Sequence, residues 1–178
     1  MNITSIKPTY LQKGDQIGIV STARKITEKE LKFAKNILQD WGLEVVFGQN
    51  IFKSDHQFSG TDKERAEDFQ QMLDDVNIKA ILCARGGYGT VRIIDQLDFS
   101  SFKEKPKWII GYSDVTVLHS HLNTIGYNTI HASMPINFES NSKEALISIK
   151  KTIFGEDYPI ITESHPLNKK GIAFGQLV

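Results

Sequence analysis

"KAILCARGGYGTVRIIDQL", residues 79 to 97, decides how the rest of the chain is read. An apolar run of strand length, Lys79 to Ala84, meets a loop carrying Gly86, Gly87 and Gly89, and a helix-spaced segment follows near 90 to 97. Strand, glycine turn and helix in immediate succession are the repeating unit of a parallel sheet whose crossovers are helical. The alternation extends in both directions. Before the quoted stretch come "QIGIVS" (16 to 21), a helix near 28 to 41, "EVVF" (44 to 47) and a helix near 62 to 74; after it come "WIIG" (108 to 111), a helix near 114 to 124 and "NTIH" (128 to 131). The expected fold class is therefore α/β, an open, mainly parallel sheet with helices on both faces.

Helix ends carry their own signals. Thr27 with Glu30, and Thr61 with Glu64, have capping-box spacing, in which each side chain satisfies a free backbone N–H of the first turn. Gly42 after Trp41 reads as a helix stop, and Leu31, Ala34, Ile37, Leu38 and Trp41 share one helical face. Residues 132 to 142 read as a loop, 143 to 154 as one more amphipathic helix, and the terminal "GIAFGQLV" as an unfinished apolar strand. The expected organisation is an α/β domain over 1–140, then a linker and the start of a second domain over 141–178.

The 178 residues carry 21 basic and 21 acidic side chains, and no like-charge run exceeds a pair such as Lys150–Lys151. That balance gives no footprint for nucleic acid or an anionic membrane. The opening residues lack the apolar stretch of a signal peptide, and nowhere are there about 18 continuous apolar residues, so a cytoplasmic protein is expected. Cys83, the one cysteine, excludes an internal disulfide and reads as a small buried hydrophobe.

In an open parallel sheet, ligands bind outside the carboxyl ends of the strands. Two loops there stand out, "ARGGYGT" (84 to 90) and "GYSD" (111 to 114). The glycines of the first suit positive φ or close approach to the backbone, and the amides opening the next helix favour an anion or an oxyanion. A phosphate site lacks both the G-K-[ST] of a P-loop and the last glycine of G-x-G-x-x-G, and a plain tight turn is the simplest alternative. Arg85 is placed to pair with a substrate carboxylate or with a surface acid. Ser113 stands where a nucleophile elbow puts its serine, although Val115 replaces the second glycine of G-x-S-x-G; the other reading makes Ser113 or Asp114 the N-cap of its own helix. A serine hydroxyl needs a base, and His131, ending the last strand, is the best-placed candidate within the chain. His119 and His121 read as surface or core-edge residues without the further ligands a metal needs, and His56 and His165 lie in polar loops.

"GDQIGIVSTA", "FSGTDKERAEDFQ", "IKAILCARGGYGTVRIIDQLDF" and "KPKWIIGYSDVTVLH" together resemble the LD-carboxypeptidase family, the cytosolic muramoyl-tetrapeptide carboxypeptidases and relatives that inactivate microcin C. The resemblance covers nearly all of residues 10 to 138. It implies a serine peptidase acting on small murein peptides at an L,D bond to release D-alanine, with no metal or organic cofactor, and a homodimer in the full-length form. It implies Ser113 as nucleophile, the backbone amides of Gly86 and Asp114 as oxyanion hole, and Arg85, Gly87, Tyr88 and His131 around the substrate. It further implies that the triad glutamate and histidine lie in a separate C-terminal domain with no counterparts here, so that the 178 residues alone are expected to be nearly inactive. "STAR" and "HASMP" depart from the family's usual turns.

Overall fold

The computed structural model describes residues 5–159, 161, 163–169 and 171–172. Five strands, β1 (Gln16–Val20), β2 (Glu44–Phe47), β3 (Ile78–Cys83), β4 (Trp108–Gly111) and β5 (Ile130–His131), form one sheet in the order β2-β1-β3-β4-β5, every pairing parallel. The chain moves outward from β1 to β2, then crosses back over β1 to lay down β3. The connections therefore diverge between β1 and β3, which opens a crevice at the carboxyl ends of those strands.

Alternation along the buried strands sorts their side chains between two cores. Ile17 and Ile19 of β1, Ala80 and Leu82 of β3, and Trp108 and Ile110 of β4 face the first core, with α1 (Glu28–Asp40), α6 (Lys143–Phe154) and the 3-10 turn Pro135–Ser140. Val20, Ile81, Cys83 and Ile109 face the second, with α2 (Asp62–Asp74), α4 (Ser100–Glu104) and α5 (Thr116–Thr124). Both faces are covered, which is why these strands read as continuous apolar runs. Cys83 is fully buried, and burial pushes its thiol up to about 12.

Both capping boxes form, around Thr27 and Thr61, and α1 ends at Trp41 with Gly42 at φ +89°. Leu31, Ala34 and Leu38 are buried on the α1 face turned to the sheet. The structure departs from the sequence reading at three places. The segment near 90 to 97 is one α-turn, α3 (Thr90–Ile93), followed by a 3-10 turn (Ile94–Gln96), and α4 is an additional short helix. Asp98 starts α4, accepting from the Ser100 amide and hydroxyl at 2.9 and 2.6 Å. The loop expected over 132 to 142 contains the 3-10 turn, whose Phe138 is buried against Trp41. The strand expected at 171 to 178 lies almost wholly outside the described residues.

Candidate active site

At the end of β3 the chain stays paired for one more residue, with the Ala84 amide donating to the Val20 carbonyl at 2.7 Å. It then turns through the glycines. Gly87 has φ +128°, and a Cβ there would lie 2.5 Å from Arg24 Cγ. At Gly89 a Cβ would lie 2.4 Å from Ala23 Cα and 2.6 Å from the Thr22 carbonyl, so the loops after β3 and β1 touch backbone to backbone. Tyr88, at φ +62° and 83 % exposed, projects into solvent between them.

The turn after β4 approaches from the other side. A Cβ on Gly86 would stand 3.6 Å from Ser113 Oγ and 3.5 Å from the Asp114 nitrogen. Ser113 has φ +61°, a left-handed conformation that costs a non-glycine residue about 1–3 kcal/mol and that tertiary structure must hold in place. Its side chain is exposed, and among the described residues no hydrogen bond claims Ser113 Oγ or the amides of Gly86 and Asp114.

Neither Ser113 nor Asp114 caps its own helix: the 3-10 turn Ser113–Val115 and α5 both begin without a side-chain cap. The Asp114 carboxylate instead reaches the start of α3. Its Oδ2 accepts from the amides of Gly89 (3.1 Å) and Thr90 (3.0 Å) and from the Thr90 hydroxyl (2.8 Å). The anion expected at the amides after the glycine loop is thus a side chain of the neighbouring turn, and it ties the two loops together. Thr90 Oγ1, its proton committed to that carboxylate, accepts from the Thr22 hydroxyl at 2.8 Å, bringing in the loop after β1.

Behind these loops lies a brace the sequence reading missed. Arg65, 1 % exposed, donates to the carbonyls of Thr22 (3.1 Å) and Gly60 (2.6 Å) and pairs with Asp62. Arg92 holds Asp62 from α3 with two forked nitrogens at 2.8 to 3.0 Å, and the Phe58 ring lies 4.6 Å from the Arg65 guanidinium and 5.0 Å from that of Arg92. The hydrogen bonds from Arg92, then Arg65, hold the Asp62 carboxyl below its ordinary range. Nothing in the spacing of Asp62, Arg65 and Arg92 distinguishes them from ordinary solvated helix charges.

Arg85 lies to one side, its Nη1 donating to the Lys25 carbonyl at 3.1 Å and standing 3.8 Å from Glu30. Of its two sequence readings, the surface acid is the one seen here. His131 pairs in register with Gly111, but its ring sits 6.0 Å from Tyr112 and 6.1 Å from His119, and no hydrogen bond joins it to Ser113. It lines a separate cavity of about 650 Å³ at the β5 edge, together with His119, Trp108 and Tyr10. His119 is 8 % exposed, its Nε2 lies 2.9 Å from the Gly111 carbonyl, and burial lowers its pKa. His121 packs against Phe99 at 4.8 Å. Among the described residues, no three His, Cys, Asp or Glu side chains are gathered so as to hold a metal, and no helix is long and apolar enough to cross a membrane.

Residues 17–132, which include every one of these loops, match the model of the LD-carboxypeptidase N-terminal domain. The chain belongs to the LD-carboxypeptidase family. It is 36 % identical over 179 residues to a probable murein peptide carboxypeptidase of Bacillus subtilis, an alignment covering 97 % of this chain and 56 % of that protein. A murein tetrapeptide carboxypeptidase of Pseudomonas aeruginosa is 25 % identical over 156 residues, 82 % of this chain and 51 % of the relative. Among solved structures, the microcin C7 self-immunity protein MccF without ligand superposes with a TM-score of 0.79 at 27 % identity, covering 90 % of this chain and 50 % of that one. The chain thus spans about half the length of these relatives, and the open parallel sheet is the fold it shares with MccF.

Proposed function

We propose that this chain is the nucleophile-bearing part of a cytoplasmic serine carboxypeptidase that releases terminal D-alanine from murein tetrapeptides by cleaving an L,D bond, a step of cell-wall recycling. The carrying observation is the exposed Ser113 hydroxyl, held at φ +61° directly after β4, beside a Gly86 whose lack of a side chain leaves room for a reacting carbonyl. In this reading Ser113 Oγ attacks the scissile carbonyl carbon and its proton passes to a base. The amides of Gly86 and Asp114 receive the developing oxyanion, for which prepositioned donors are worth about 10² to 10³ in rate. Collapse returns that proton from the base to the leaving nitrogen, expels D-alanine as its free amine and leaves an acyl-serine, which water then hydrolyses.

No imidazole or carboxylate among the described residues is hydrogen-bonded to Ser113, and the family resemblance implies that the base comes from a second domain. The 178 residues alone should then show only the ~10³- to 10⁴-fold residue of catalysis that binding and oxyanion donors sustain. The rival reading, a module that binds an anion at the glycine loop, is weakened because the Asp114 carboxylate already engages the α3 amides. The test is to treat the longest natural form of the chain, including any residues encoded beyond Val178, with a serine-directed phosphonate. Mass spectrometry should find the adduct on Ser113; an adduct confined to another residue ends the proposal.

A further inference from the structure

We infer that Arg24 is the residue that binds the peptide's terminal carboxylate, an assignment that rests on the carboxypeptidase reading above. A peptidase that removes one residue from a carboxyl end must recognise an anion about one residue's length from the bond it cuts. The loops after β1 and β3 carry three cationic side chains, and two are engaged. Lys25 Nζ lies 3.5 Å from Ser54 Oγ; Arg85 Nη1 donates to the Lys25 carbonyl and faces Glu30. On the helix that follows, Arg92 is clamped to Asp62. The Arg24 guanidinium has no hydrogen-bonding or ionic partner among the described residues.

Its position is nevertheless fixed. The Arg24 carbonyl accepts from Ser21 Oγ at 2.6 Å, and its backbone bridges to Phe58. The side-chain stem lies across Gly87, where a Cβ would stand 2.5 Å from Cγ, 2.8 Å from Cδ and 3.0 Å from Nε. Gly87 borders Gly86, which faces Ser113 Oγ. Followed through adjacent Cα atoms about 3.8 Å apart, these contacts put Arg24 Nε no more than about 13 Å from that oxygen. The terminal carboxylate of a peptide whose scissile carbonyl meets Ser113 Oγ lies one residue further on, which is within that limit. A guanidinium grips a carboxylate through two parallel N–H donors, and a stem already packed against the loop loses less freedom on binding than one loose in solvent.

The inference is tested by steady-state kinetics on the longest natural form of the chain, using an L,D-tetrapeptide with a free terminal carboxylate and the same peptide as its terminal amide. Wild type should favour the acid. Arg24→Gln should lower kcat/KM on the acid by about 10- to 100-fold, mostly through KM, and leave the amide within about 3-fold, because only a charge-assisted hydrogen bond has been lost. Arg24→Lys should recover part of that loss by supplying charge without the fork. Arg24 is exposed, so a circular-dichroism melt should match wild type. If Arg24→Gln keeps the full preference for the acid, Arg24 is not the anchor and the carboxypeptidase reading stands. If wild type cleaves neither peptide, that reading and this inference fall together.

Discussion

The two ends of β4 make opposite use of polar groups. At its start Lys107 is buried, and its Nζ donates to the carbonyls of Met72 and Asp75 at 2.8 and 2.7 Å, closing the C-terminal end of α2, where a cation is favoured. At its finish, three residues beyond Ile110, the Ser113 hydroxyl and the neighbouring amides have no partner among the described residues, on a backbone held in an unfavourable conformation. Polar groups committed to the chain's own backbone hold the fold together. Those left uncommitted, on a turn that strain makes expensive to keep, are where a ligand would find donors waiting.

Ser113→Ala puts the contrast between the two ends to its most severe test. In the longest natural form of the chain it should reduce D-alanine release by about 10³-fold or more while the melting temperature stays near wild type; retained turnover in a peptide-release assay would remove the special standing of that end. Asp114→Ala should come next, with a loss of about 10²-fold in kcat as the glycine loop separates from the elbow. Because three hydrogen bonds at the start of α3 disappear, it should also cost about 2 kcal/mol in denaturant unfolding, and Asp114→Asn should recover part of both effects.

At the other end of β4, Lys107→Met should destabilise by about 2–3 kcal/mol at neutral pH by leaving two buried carbonyls unmet, with little effect on chemistry. Burial lowers the Lys107 pKa from 10.5 to about 8, so between those values the unfolded chain holds a proton that the folded chain has released. Unfolding then takes up a proton, and stability rises with pH. The gap between wild type and Lys107→Met should widen from pH 8 to pH 10 in thermal melts. The smallest effect is a gain: Ser113→Gly, inactive, should be about 1 kcal/mol more stable because glycine adopts φ +61° without the penalty.

Much of the fold was legible because its signals are local. Thr27 with Glu30 and Thr61 with Glu64 mark helix starts through contacts three residues apart, and the apolar runs mark strands through burial on both faces. The lone α-turn at Thr90 and the extra helix at Ser100 were less clear, since Gly, Asp and Ser over a short span support turns and helix starts alike. Arg65 gave no sign of itself: one guanidinium in an amphipathic helix looks solvated until the loops it braces are folded over it.

The α/β class, the helix caps and the two glycine- and serine-bearing loops at strand ends are legible in the residues alone, because each depends on neighbours within a few positions. Folding alone showed that Asp114 caps α3 rather than its own helix, that Arg85 is engaged while Arg24 has no side-chain partner among the described residues, and that His131 lines a cavity whose walls do not include Ser113. Those outcomes depend on how strands distant in sequence are brought side by side. A hydrogen bond between residues 24 or more positions apart has no periodicity from which it can be read.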